Sequence, residues 1–163
     1  MDQAYIASLS RSAASYASTA SYWGGRASDA QGTISSLTPQ LQHKRDQLAQ
    51  ANAVNGRLPE LTDRNAAVGA SLSTLSSQLA NMMDDSGASA MITDLDNDFS
   101  DPISRAGAAC SQLIEVLSQE VASLEGQIAS AVSLRQAANA NASSALASAA
   151  WCNRQIADEL ARG

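Results

Sequence analysis

Ile114-Glu115-Val116-Leu117-Ser118-Gln119-Glu120-Val121-Ala122-Ser123-Leu124-Glu125-Gly126-Gln127-Ile128 decides the fold class. Its large apolar residues at 114, 117, 121, 124 and 128 are spaced alternately three and four apart. That spacing places one side chain per turn along a single narrow stripe of an α-helix, the seam on which helices pair. The same ladder extends back through Ile103, Gly107 and Cys110. It runs forward through Ala131, Arg135, Ala138, Ala142, Ala145, Ala149, Cys152 and Ile156.

Two further ladders lie upstream. The first reads Ile6, Leu9, Ala13, Tyr16, Ala20, Trp23, Ala27, Ala30, Ile34, Leu37, Leu41, then the polar rung Lys44, then Leu48 and Ala51. The second reads Leu58, Leu61, Asn65, Val68, Leu72, Leu75, Leu79 and Met82. No stretch alternates with period two, and Phe, Trp and Tyr make up only 4% of the chain, so strands with packed faces are not expected. The expected fold is all-α, an elongated antiparallel helical hairpin or bundle with coiled-coil-like packing. One helical domain over 1–163 is expected.

Local breakers set the expected segments. Gly24-Gly25, Thr38-Pro39, Asn55-Gly56 with Leu58-Pro59, and the stretch around Gly87 and Pro102 all disfavour a helix interior. They suggest helices over about 2–22, 27–55, 60–83 and 103–160, with an acidic connector at 84–102. That connector holds Asp84, Asp85, Asp94, Asp96, Asp98 and Asp101. Whether 103–160 is one helix or two joined near Asn139-Ala140-Asn141 stays open.

Composition narrows the function classes. Ala occurs 33 times and Ser 25 times in 163 residues, and 16 acidic against 10 basic side chains give a net charge of −6. An acidic chain whose sole lysine stands in the pair Lys44-Arg45 is a poor partner for nucleic acid or an anionic membrane. The acidic N-terminus does not fit a secretory leader, and no apolar run is long enough to span a bilayer. A cytoplasmic protein, with any export lacking a cleaved signal peptide, is the expectation.

Chemistry-bearing motifs are sparse. Asp94-Leu95-Asp96-Asn97-Asp98 starts like a calcium loop, but Phe99 stands where that loop needs Gly and Arg105 where it needs Glu. His43 is the single histidine, set in a polar helical stretch from Gln40 to Gln50. Cys110 and Cys152 form no CxxC motif and suit small buried hydrophobes. Glu115, Glu120 and Glu125 recur every five residues and therefore spread around a helix. No nucleophile elbow or phosphate loop is present, so no catalytic, cofactor or metal residue is expected.

Trp23-Gly24-Gly25 resembles the Trp-x-Gly turn of the WXG superfamily, small helical proteins handled by type VII secretion. A second resemblance covers more of the chain. Ile34-Ser35-Ser36-Leu37 with Leu41 and Leu48, and Asp98-Phe99-Ser100-Asp101-Pro102-Ile103 leading into Ile114, Leu117, Val121, Leu124 and Ile128, resemble the YwqH-like family found beside type VII effectors. These resemblances imply a non-enzymatic adaptor, chaperone or targeting partner. Its binding partner would be the helical N-terminal domain of a secreted effector, or another small helical protein.

The family's export tag, an aromatic followed four residues later by an acid, is not found. Arg26 follows Tyr22 at that distance, Ile103 follows Phe99, and Gln155 follows Trp151. The implied role is thus the accessory partner. Expected partner-binding residues are Trp23, Gly24, Gly25, Phe99 and Trp151, with the small rungs Ala138, Ala142, Ala145 and Ala149, whose stripe buries little area alone. The alternatives are a self-assembling coiled coil such as a phage scaffold or filament component, and a secreted WXG-like small protein; whether the chain forms a homo-oligomer stays open.

Overall fold

A computed structural model describes the backbone of residues 2–82 and 87–162 and their side chains, except those of 76, 79–82 and 87–101. Two helices account for this backbone: α1 over Gln3–Met82 and α2 over Gly87–Ala161. They pack against one another as an all-α helical hairpin, with no strand among the described residues. The chain divides into two compact units, residues 1–41 with 123–163 and residues 42–122. In each, a stretch of α1 lies antiparallel to a stretch of α2.

The start of α1 is set by Asp2. Its Oδ1 accepts from the backbone N–H groups of Ala4 at 3.0 Å and Tyr5 at 3.1 Å. Those donors have no partner inside the helix, and an acid there also opposes the positive end of the helix dipole.

In the first unit the antiparallel register is marked by three cross-helix contacts. The Asp2 backbone N–H donates to Glu159 Oε1 at 3.3 Å, Leu9 and Ala13 cluster with Cys152 and Ile156, and Arg135 Nη1 donates to Gln31 Oε1. In the second unit Lys44 Nζ meets Glu120 Oε2 at 2.8 Å, and Leu58 Cδ1 lies 3.7 Å from where a Cβ on Gly107 would stand. Each step forward along α1 is matched by a step back along α2, as a hairpin requires.

Every described rung of the first ladder except Tyr16 is buried or half-buried, and so is every rung from Ile103 to Ile156. The seam is thin. Among the described residues, nine of the thirteen buried apolar ones are alanines, and the bulkiest side chain wholly withdrawn from water is Cys152. Burying an Ala contributes far less than the roughly 1.5–3 kcal/mol of a Val, Leu or Phe. Stability therefore rests on the length of the seam and on a few large rungs such as Leu9, Leu41 and Leu117, each 9% exposed or less.

The four expected segments are two. α1 runs unbroken through Gly24-Gly25, Pro39 and Gly56 to Pro59, and α2 begins at Gly87, so most of the expected connector and Pro102 lie within a helix. α2 also passes through Asn139-Ala140-Asn141 without a break. The reason is that a breaker is a local penalty, about 1 kcal/mol for Gly and 3 for Pro, whereas seam rungs on both sides of it gain from staying in register. Ala20 and Trp23 before the glycines and Ala27 and Ala30 after them all face the seam.

No described residue has a positive φ, and an added Cβ at Gly24 or Gly25 would meet nothing within 4 Å. The pair therefore makes no turn, and each glycine is a helix-interior position occupied by a poor helix former. Replacing both by Ala is expected to stabilise the chain by about 1–2 kcal/mol, read as a rise in the thermal midpoint. A turn at this point would give the opposite sign.

Candidate partner-binding surfaces

Trp151 precedes the seam residue Cys152 by one position and points off the seam. It is 51% exposed and lines a shallow groove of the first unit with Leu9, Ser12, Tyr16, Ser144 and Ser148. Tyr16, 40% exposed, forms part of the same wall. A half-bare indole beside a half-bare phenol, floored by small side chains, is a surface that an apolar residue of another molecule can cover. Large aromatics in such pockets carry a disproportionate share of interface free energy.

Trp23 is placed differently. It is a half-buried seam residue with the exposed ring of Tyr22 edge-on to it, centroids 5.2 Å apart at 73°. Gly24 and Gly25 beside it are exposed helix positions. The side chain of Phe99 lies outside the described residues.

The alanine stripe is closed. Ala138 is 0% exposed, Ala145 and Ala149 are 7%, and Ala142 is half-buried. In the register set by Leu9, Ala13 and Cys152 on one side and Gln31 with Arg135 on the other, this stripe faces the small rungs Ala20 and Ala27. The expectation that these alanines await a partner molecule meets a simpler arrangement: α1 of the same chain already covers them. Small side chains on both helices let the backbones approach closely, and that closeness buries what few methyls there are.

Two of the polar rungs are likewise used within the chain. Lys44, about one-third exposed, is paired with Glu120, and Arg135 with Gln31. Partly exposed pairs like these contribute about 0–1 kcal/mol each; their physical effect is to penalise a slipped register. His43 is exposed. Cys110 and Cys152 are both free thiols on α2, half-buried and buried respectively. No group of His, Cys, Asp and Glu suited to a metal ion occurs among the described residues, and no described helix is long and apolar enough to cross a membrane.

The sequence reading missed a surface on the second unit. Leu61, Val68 and Leu75 were counted as seam residues, yet they are 49%, 53% and 51% exposed. With Val54 at 52% they form a stripe of one residue every seven along one edge of α1. Val54 shares a groove with Cys110, Leu113 and Val116 of α2, the last two 49% and 52% exposed. The residues that turn toward the seam between members of this stripe are Leu58, Asn65 and Leu72, with Asn55 and Gly69, all half-buried. The opposite side of the same unit is polar, with Asn55, Thr62, Asn65, Ser104 and Ser111 around Leu58, Pro59 and Ile103.

No family model, curated protein or solved structure matches this chain.

Proposed function

We propose that this protein is a non-enzymatic helical adaptor that works by pairing with helices of a second protein. The type VII secretion resemblance makes the helical N-terminal domain of a secreted effector the preferred partner. The observation that carries the reading is Trp151, half exposed beside Tyr16 on a hairpin whose fully buried residues, among those described, are mostly alanine. A two-helix hairpin encloses each helix on one side alone, so its stability and its large exposed side chains both gain when further helices pack alongside. Binding of this type is anchored at i, i+3, i+4 and i+7 positions, the spacing already present on both helices.

The test is co-expression with the products of the neighbouring genes, followed by affinity measurement on any complex formed. Trp151→Ala is expected to weaken such a complex at least tenfold, the loss of an aromatic hot spot, while leaving the free chain folded because the indole is half outside the seam. Unchanged affinity would remove Trp151 as the anchor. Light scattering that shows large homo-oligomers and no hetero-complex would replace the adaptor reading with a self-assembling coiled coil.

A further inference from the structure

We infer that α1 of the second unit has a second seating on α2, turned by about 50° about its own axis, in which Val54 and Leu61 enter the seam and Asn55 and Thr62 leave it. In that seating the chain covers its own apolar flank. The inference concerns the free chain, goes beyond the adaptor reading, and stands or falls without a partner.

The first observation is a shift in the apolar ladder that the seam does not follow. The residues of α1 turned toward α2 are Ala51, Asn55, Leu58, Asn65, Gly69 and Leu72, with Thr62 exposed at the place the spacing reserves for it. The aliphatic residues keep a different track. After Ala51 they stand at Val54, Leu58, Leu61, Val68, Leu72 and Leu75, and the four of these off the seam are between 49% and 53% exposed. Two steps of three in succession, Leu48 to Ala51 and Ala51 to Val54, set this track off from the first. That is the sequence mark of a stripe turned about its helix.

The second observation is that the two tracks share a pivot. Leu58, Asn65 and Leu72 fit both, and all three are half-buried. Leu61 and Thr62 lie to either side of Leu58, about 60° and about 40° around the helix, so exchanging them moves the centre of the stripe by about 50°. Leu58 faces Gly107, which has no side chain to hold it in place. Val54 already lines a groove with Ala51, Cys110 and Leu117, and the turn carries it inward. Asn55 and Thr62 move outward on the other side, where they share a surface with Ser104 and Ser111. Aliphatic side chains gain cover, and the polar ones gain water.

The third observation is where the turn is opposed and where it is absorbed. Upstream, Lys44 on Glu120 at 2.8 Å and Ala51, 7% exposed, hold α1 in the observed seating. Between Ala51 and Leu58 the second seating overwinds the helix. That stretch contains Gly56, a poor helix former, and its Asn55 carbonyl faces Pro59, which has no N–H to give it. Helix distortions collect at such residues. Gly56 has open space around it, so nothing blocks the turn there. Overwinding opposes the second seating and aliphatic burial favours it, the balance that gives one packed pair two discrete arrangements.

The test is methyl relaxation dispersion on the full chain labelled at Val, Leu and Ile, which reads exchange on the microsecond-to-millisecond scale of such motions. One exchange process is expected to be common to the methyls of Val54, Leu58 and Leu61, while Leu9 in the first unit stays flat. Asn55→Leu with Thr62→Leu makes the observed seam as apolar as its rival. The exchange contribution at Leu61 should then fall about fivefold or more as the second seating empties. Asn55→Glu with Thr62→Glu works in the opposite sense and should move the Leu61 methyl shifts toward those of the minor state. Should either pair fail to fold, Leu61→Gln with Val68→Gln, at half-exposed positions, removes what favours the second seating and should flatten the dispersion at Leu58.

Flat dispersion at all three methyls overturns the inference, and so does dispersion that these substitutions leave unchanged. Dispersion that grows with protein concentration also overturns it, because the exchange then belongs to contact between copies. None of these results touches Trp151, which lies in the other unit.

Discussion

Leu117→Ala is expected to destabilise the second unit by about 2–3 kcal/mol, the lower half of the range for a buried leucine. Leu117 is 5% exposed, the most enclosed of the three buried leucines. It sits against Ala51 at the floor of the groove whose walls are Val54, Cys110, Leu113 and Val116. Truncation removes three carbons, and the neighbouring rungs Ile114 and Val121 are fixed one turn away on the same helix, so they fill the gap only in part. The open side of the groove admits partial collapse and water, and this keeps the loss below the 5 kcal/mol seen in closed cores.

For a unit of this size the expected loss lowers the thermal midpoint by about 10 °C or more. The site of the damage is as telling as its size. Amide exchange should accelerate across residues 42–122 and much less across 1–41 and 123–163, because the two compact units hold separate sets of rungs. Leu113→Ala, four residues away and 49% exposed, is the control and should cost under about 1 kcal/mol. If the two substitutions cost the same, Leu117 is not a seam residue and the register described above is wrong.

Which residues of α2 face the seam was largely readable in the sequence. Every rung from Ile103 to Ile156 reaches the interior, because a three-four spacing on a helix admits one stripe alone and large residues fill it from Ile114 to Ile128. The breaks were misread for an equally physical reason. Gly24-Gly25 and Pro59 were weighed by their local cost, while the gain that overrides it is non-local and depends on what the other helix presents at the same level. Between Leu58 and Leu75 two stripes compete, one through Leu58, Asn65 and Leu72 and one through Leu61, Val68 and Leu75. Periodicity alone does not say which of them α2 covers. Hydrophobicity favoured counting both as seam; the structure covers the first and leaves the second half bare. The candidate anchors divide in the same way. Trp151 is half exposed, whereas whether Ala138 and its neighbours are open or covered depends on which stretch of α1 lies opposite them, and seam spacing alone does not fix that.

Ala138→Leu turns that last difference into a measurement on the isolated protein. Ala138 is 0% exposed, and the register brings it opposite Ala27, itself 8% exposed. Three added carbons have no room between two alanines, so the helices must move apart or the leucine must leave its preferred rotamers, at a cost of about 1–3 kcal/mol. Separation also strips contacts from the neighbouring rungs Ala131 and Ala145, both 7% exposed, so the upper part of that range is expected. Ala140→Leu, two residues on and exposed, makes the same change in composition and helix propensity and should be close to neutral. The comparison separates two pictures of the alanine stripe. If it is closed by α1, Ala138→Leu lowers the thermal midpoint of the free chain by several degrees and Ala140→Leu does not. If it stands open for a partner, the added leucine only enlarges an exposed face and the free chain keeps its midpoint. A drop confined to position 138 therefore shows that α1 closes the seam and that a second molecule would have to meet the flanks, where Trp151 is half exposed.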